Sequence, residues 1–171
     1  TDDDEMDRKV RLLRNHGLRN RDEMEIFGYN SRLDSVQAVV GKWIVRQVED
    51  IVIKRAEAAD HYDKGLADIP GIRVPTRQAD TKHVYLLYMV FAENRDALLQ
   101  HCLDRGIEAK IHYPIPLFLQ DGLSYLGYVK GDFPVTEKQA DRILTLPVDQ
   151  HLGSEQLQYV IQVIQDYYAR R

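Results

Sequence analysis

"FGYNSRLDSVQAVV", residues 27–40, places a polar turn directly in front of an amphipathic helix. Ser31 and Asp34 have capping-box spacing, and Val36, Val40, Ile44, Val48, Val52, Ala56 and Ala59 recur at helical intervals as one apolar stripe. No proline interrupts this pattern before Gly65. About 32 residues rising 1.5 Å each reach roughly 48 Å, well past the roughly 30 Å width of a small domain. A helix that long bends, bridges two domains or packs against another chain, and Gly41 is the expected weak point for a kink.

Upstream, Thr1 and Asp4 repeat the capping-box spacing. Acidic residues at 2–5 and basic ones at 8–14 complement the dipole of a helix that should stop at Gly17. A chain opening on a cap rather than on loose residues is expected to lack an N-terminal part. "GLRNRDEMEIF", residues 17–27, reads as a connecting loop.

Downstream the order is α+β. "GIRVP" (71–75) is a short strand, and "KHVYLLYMVF" (82–91) is apolar enough to be a central one. "NRDALLQHCLDRG" (94–106) predicts a helix with Asn94 as N-cap and Gly106 as C-cap. "IEAKIHY" (107–113) predicts a third strand that Pro114 ends. "VTEKQADRILTLP" (135–147) and "SEQLQYVIQVIQDYYARR" (154–171) close the chain as two helices, the second capped by Ser154 and apolar through Leu157, Val160, Ile161, Ile164 and Tyr168.

Composition narrows the function classes. With 171 residues and 44% hydrophobic content the chain can build a real core, and a net charge of −4 argues against a nucleic-acid partner. Cys102 is the single cysteine, which excludes an intrachain disulfide and a cysteine-built metal site and suits a reducing, cytoplasmic setting. The longest apolar run, residues 84–92, is half of what a bilayer-spanning helix needs, so no membrane partner is expected. There is no Gly-rich phosphate loop, no metal-spaced His/Cys set and no nucleophile elbow, and no metal site is expected.

Two polar clusters stand at element ends. Tyr29, Asn30 and Arg32 precede the long helix, where free backbone N–H groups, an amide and a guanidinium suit an anion such as phosphate; spacing alone favours an ordinary N-cap with a solvent-facing arginine. "KIHYPIP" (110–116) holds His112 and Tyr113 at a strand end between prolines, either to offer an acid or base and a phenol to a ligand, or to cover a core edge. The basic residues Arg8, Lys9, Arg11, Arg14, Arg19 and Arg21 read as a solvated helix face.

"GYNSRLDSVQAVV" and "IHYPIPLFLQ" resemble segments of the DegT/DnrJ/EryC1/StrS family of sugar aminotransferases, the second matching its C-terminal signature. "LRNHG", "RAEAADHYDKGL", "HVYLLYMVF" and "VTEKQADRILTLPV" follow the family order, so the resemblance covers nearly the whole chain but only the C-terminal half of such an enzyme. It implies an α/β enzyme of fold type I dependent on pyridoxal phosphate (PLP), with an α+β small domain built on a small antiparallel sheet flanked by helices. Residues 1–33 would then end the large cofactor-binding domain, 34–66 form the long connecting helix, and 67–171 the C-terminal small domain.

By the same resemblance, Asn30 matches an asparagine that reaches the cofactor phosphate of a neighbouring subunit, Arg32 an arginine near the nucleotide sugar, and His112 and Tyr113 a pair that approaches the substrate. The cofactor lysine would lie upstream of Thr1, and no lysine here takes its place. The implied partners are a nucleotide-sugar substrate, an amino donor (commonly glutamate), a second copy in a homodimer with shared active sites, and the N-terminal half. A sugar dehydratase of the same superfamily, with histidine in place of the cofactor lysine, and a non-catalytic dimerising module are the alternatives.

Overall fold

The computed structural model describes residues 1–170. The chain forms two compact units, Thr1–Val48 and Glu49–Arg171.

In the first unit, helix α1 spans Asp4–Leu13. Its N-cap is Asp3 rather than Thr1: the Asp3 carboxylate accepts from the Met6 backbone N–H at 2.9 Å, while the Thr1 hydroxyl accepts from the Asp3 N–H. Only Leu12 of this helix is buried. At its end the chain enters the left-handed region at His16 (φ 59) and Gly17 (φ 74), and the Gly17 N–H returns to Leu12 O at 2.7 Å. The polar turn then folds back onto the helix end. Tyr29 N–H donates to Leu13 O at 2.7 Å, His16 N–H to Tyr29 O at 2.8 Å, and Ser31 N–H to Arg14 O at 2.9 Å. This crossing requires glycine twice: a Cβ on Gly17 would lie 1.6 Å from Ile26 O, and one on Gly28 would lie 2.3 Å from Gly17 N.

The helix expected over 34–66 is two helices, α2 (Ser35–Val45) and α3 (Val48–Leu66). The break falls at Arg46–Gln47, not at Gly41. The Gln47 N–H bonds Ile44 O three residues back at 2.8 Å, and the Gln47 side-chain amide takes up Trp43 O, the carbonyl a continuous helix would have given that N–H. Its start also differs: the N-cap is Asp34, whose N–H is accepted by Gln37 Oε1 at 3.4 Å, so Ser31 stands outside the helix. No residue of α2 is buried, and Val36, Val39 and Trp43 are widely exposed.

The second unit is built on a three-stranded antiparallel sheet in the order β1 (Ile72–Arg73), β2 (Tyr88–Ala92), β3 (Ile143–Leu146). Ile72 pairs with Ala92, and Tyr88 with Leu146. The central strand is where the sequence placed it, but shorter. Tyr85 has φ 45, its N–H donates to His83 Nδ1 at 3.0 Å, and Arg55 Nη1 donates to the carbonyls of Tyr85 and Leu86 at 3.0 and 3.4 Å. Side chains thus satisfy the backbone that a longer ladder would have used. The third strand is "ILTL", which the sequence assigned to a helix. Helix α5 (Pro134–Ala140) stops first, and Arg95 Nη1 donates to Ala140 O at 3.0 Å and Ile143 O at 3.1 Å, ending the helix and starting the strand. "IEAKIHY" is not a strand of the sheet: its backbone pairs with β3 at the single Lys110–Thr145 bridge, and Pro114 ends the segment beyond it.

Helices α3, α4 (Arg95–Leu103) and α6 (Ser154–Ala169) carry the buried side chains that cover the sheet: Tyr62 and Leu66 of α3, Leu98 and Cys102 of α4, Ile161 and Ile164 of α6, against Tyr88, Val90, Leu144 and Leu146. Asn94 sits at the α4 N-cap position with φ 51 but its side chain makes no capping bond, and Gly106 (φ 74) ends the turn after it. The N-cap of α6 is Gly153 rather than Ser154, with Gln156 Oε1 accepting from the Gly153 N–H. The helix expected to reach 171 is described to Ala169, and Arg171 lies outside the described residues. Among the described residues no helix is long and apolar enough to cross a membrane, and no group of His, Cys, Asp and Glu has the arrangement of a metal site.

Candidate functional site

The expected site residues fall into two groups, one in each unit. In the first unit, Asn15 and Asn30 form a backbone bridge, which fixes the turn against the end of α1. The Asn30 side-chain oxygen accepts from Arg32 Nε at 3.1 Å. With Oδ1 turned toward Arg32, Asn30 has its NH₂ group and Arg32 the rest of its guanidinium available as hydrogen-bond donors beside a positive charge. Both residues and Tyr29 are exposed. A cationic pair with free N–H donors fits a phosphate-bearing group such as PLP. Since Asp34 is the cap, this pair is not consumed in capping α2.

In the second unit, His112 and Tyr113 leave the sheet through a cis peptide bond just after Lys110 pairs with Thr145. Thr145 is buried at 6% exposure, and its hydroxyl holds His112 Nδ1 at 3.0 Å. That bond fixes the imidazole and leaves Nε2 for another group. The Tyr113 ring stands edge-on to His112 at 5.3 Å between centroids and is 72% exposed. The two line a cleft of about 280 Å³ with Ile115, Leu117, Gln139 and Ile143. A ring-held histidine, an exposed phenol and an apolar wall can orient a polar ligand with an apolar edge. Lys110 points its charge to Glu108, 2.6 Å away.

Sequence reasoning missed Thr145, because it was read as part of a helix and lies 33 residues from His112. It also missed a cluster behind the sheet. Asp63 accepts from the Tyr88 hydroxyl at 2.7 Å and from Arg77 at 2.9 and 3.0 Å, and Arg77 lies over the Tyr85 and Tyr88 rings. Burial, reinforced by Asp63, pushes the Tyr88 phenol well above its ordinary range, and burial does the same to Tyr62. Both phenols stay protonated, which marks them as structural donors rather than bases.

The chain is similar to known proteins over nearly all of its length. The family model of the DegT/DnrJ/EryC1/StrS aminotransferases matches residues 1–165. The chain is 37% identical over 161 residues to the erythromycin biosynthesis sensory transduction protein EryC1 of Saccharopolyspora erythraea, covering 94% of this chain and 44% of that protein. It is 35% identical over 170 residues to the dTDP-3-amino-3,4,6-trideoxy-alpha-D-glucose transaminase of Streptomyces venezuelae, covering 99% of this chain and 45% of the relative. The crystal structure of S. venezuelae DesV in complex with a ketimine intermediate superposes with a TM-score of 0.94 at 35% identity, over 100% of this chain and 46% of that one. Fold and sequence together define an aminotransferase-type α/β chain. It belongs to the DegT/DnrJ/EryC1/StrS aminotransferase family, and it spans less than half the length of these relatives.

Proposed function

We propose that the complete protein is a PLP-dependent aminotransferase that moves an amino group, with glutamate as donor, onto a keto sugar carried by a nucleotide diphosphate. The observation that carries this reading is the agreement, over nearly the whole of this chain, of its sequence with a relative named as a dTDP-sugar transaminase and of its backbone with DesV in complex with a ketimine intermediate at TM-score 0.94. PLP, when bound, would supply the electron sink that lets a proton leave the carbon bearing nitrogen.

The residues of this chain then have positioning roles. Asn30 would help hold the cofactor phosphate through its amide N–H, and Arg32 would place charge beside the diphosphate of the substrate. His112, braced by Thr145, and Tyr113 hold sugar hydroxyls so that the reacting carbon is presented in one orientation. As in the family, the two groups would serve active sites shared between two copies in a homodimer, with the cofactor lysine supplied by a segment outside this chain.

The test uses the full-length protein. Borohydride reduction after incubation with PLP should fix the cofactor to one lysine, read by mass spectrometry, and glutamate should be converted to 2-oxoglutarate with retention of nitrogen on the enzyme. Binding of PLP with no reducible link to lysine would point to dehydratase chemistry and overturn the transaminase reading.

A further inference from the structure

In the second unit, Arg73, Lys138 and Arg142 converge on a cleft of about 400 Å³ walled by Phe91, Pro134 and Val135. The fold brings the three cations together from separate places: Arg73 lies in β1, Lys138 in α5, and Arg142 between α5 and β3. Arg73 pairs with Phe91 across the first two strands, and Phe91 with Ile143 across the next two. Side chains alternate along a strand, so this row projects from the face opposite the one that α3, α4 and α6 cover.

Among the described residues no carboxylate lines the cleft. Neither Arg73 nor Lys138 has an acidic partner among those residues, and Arg142 reaches Glu93 only at 3.6 Å, with both groups partly in water. The Arg73 guanidinium lies 4.0 Å from the centre of the Phe91 ring, a stack that restrains the side chain while its N–H donors stay without an acceptor. Three cations held side by side repel one another, and an anion seated among them removes that repulsion.

We propose that this cleft binds a small phosphate monoester whose organic group is apolar or aromatic, with Arg73 and Lys138 as its principal donors and Arg142 beside them. Near neutral pH such a phosphate carries about two negative charges and three acceptor oxygens, enough to meet a guanidinium fork, an ammonium and a second guanidinium together. A carboxylate has one charge and two oxygens, which leaves one of the three cations unmatched. The organic group lies against Pro134 and Val135, and covers a valine side chain that is otherwise 69% exposed. None of these residues has a role in the proposed transamination, so the site does not depend on that function.

The experiment is calorimetric titration of the full-length protein, carrying its bound cofactor but with no free PLP in the buffer, with phenyl phosphate at low salt. Cofactor absorbance, far-UV circular dichroism and Tm are recorded for each variant. Arg73→Gln and Lys138→Gln should each weaken binding about tenfold, the scale of one lost hydrogen bond to a charged group, and Arg73→Lys should recover part of the loss. Glu93→Gln should tighten binding several-fold, because it frees Arg142; a misfolded variant could not produce that gain. Inorganic phosphate should bind several-fold more weakly than phenyl phosphate, since it leaves the apolar wall uncovered. Affinity indifferent to Arg73 and Lys138 overturns the site, as does affinity that follows Arg32 instead or a titration that displaces the cofactor. Equal affinity for the two probes overturns the monoester. Arg73-dependent binding in a protein with no transaminase activity would leave the site standing and remove only the function proposed above.

Discussion

Thr145 and Asn30 make opposite kinds of prediction because one is buried and the other is exposed. Thr145 lies in β3 with its hydroxyl on His112 Nδ1, so Thr145→Val keeps the shape and strand preference of the residue while deleting the bond. The imidazole then loses its brace, and the expected result is a rise in KM for the sugar substrate of about tenfold with cofactor absorbance unchanged. Loss of cofactor instead of substrate affinity would break the link between Thr145 and the substrate side. Asn30 does not cap α2 and its side chain bonds Arg32 alone among the described residues, so Asn30→Ala should change stability by no more than about 0.5 kcal/mol, the usual range for a surface substitution. In the full-length protein it should nevertheless speed the loss of PLP on dialysis, followed by absorbance. Retention equal to that of the unaltered protein would leave Asn30 with a backbone role only. The same comparison shows what the sequence could reveal: exposed residues at a polar turn are recognisable as a pattern, whereas Thr145 is defined by a contact across 33 residues that no local pattern carries.

At the scale of elements, legibility followed the locality of the forces. Helices α1, α4 and α6 were read nearly to their ends because their apolar spacing and terminal glycines act within a turn or two. The strand "ILTL" was lost because its burial comes from pairing with β2 and its helix stop comes from Arg95, 45 and 48 residues away from the carbonyls it binds. The long helix failed for a different reason: the Gln47 side chain takes Trp43 O only four residues back, a local event that the stripe of valines, still continuous at that point, conceals. The packing of α3 on α6 gives an element-scale prediction. A Cβ on Gly65 would meet Ile161 Cδ1 at 2.4 Å, and Ile161 is almost fully buried. Overpacking costs about 1–3 kcal/mol, and replacing a helical glycine by alanine returns about 1 kcal/mol. Gly65→Ala should therefore be neutral to moderately destabilising by itself in urea unfolding. Ile161→Val removes the offending methyl, so the double variant should be more stable than the sum of the two single changes implies. Strict additivity would mean that the two helices do not meet at this point.

Across the whole second unit, the protonation of three buried acids ties its stability to alkaline pH. Cys102 is fully buried on α4, and burial pushes its thiol from 9.0 up to about 11. Tyr62 and Tyr88 are equally enclosed, and both phenols are raised above their ordinary value of 10.0, with the Tyr88 hydroxyl further committed to Asp63. All three groups are held neutral in the folded state and are free to ionise in the unfolded one. Above pH 9 the unfolded chain thus binds fewer protons than the folded chain, and stability must fall as pH rises. For Cys102 the loss begins near 9 and is complete near 11; for the tyrosines it begins near 10. Urea midpoints measured from pH 8 to pH 11 should decline steadily once pH 9 is passed. Cys102→Ala, although it lowers the plateau by emptying a small volume, should flatten the decline between 9 and 11, and Tyr88→Phe should flatten it only above 10. A decline identical in all three proteins would assign the alkaline transition to exposed groups and sever it from the core.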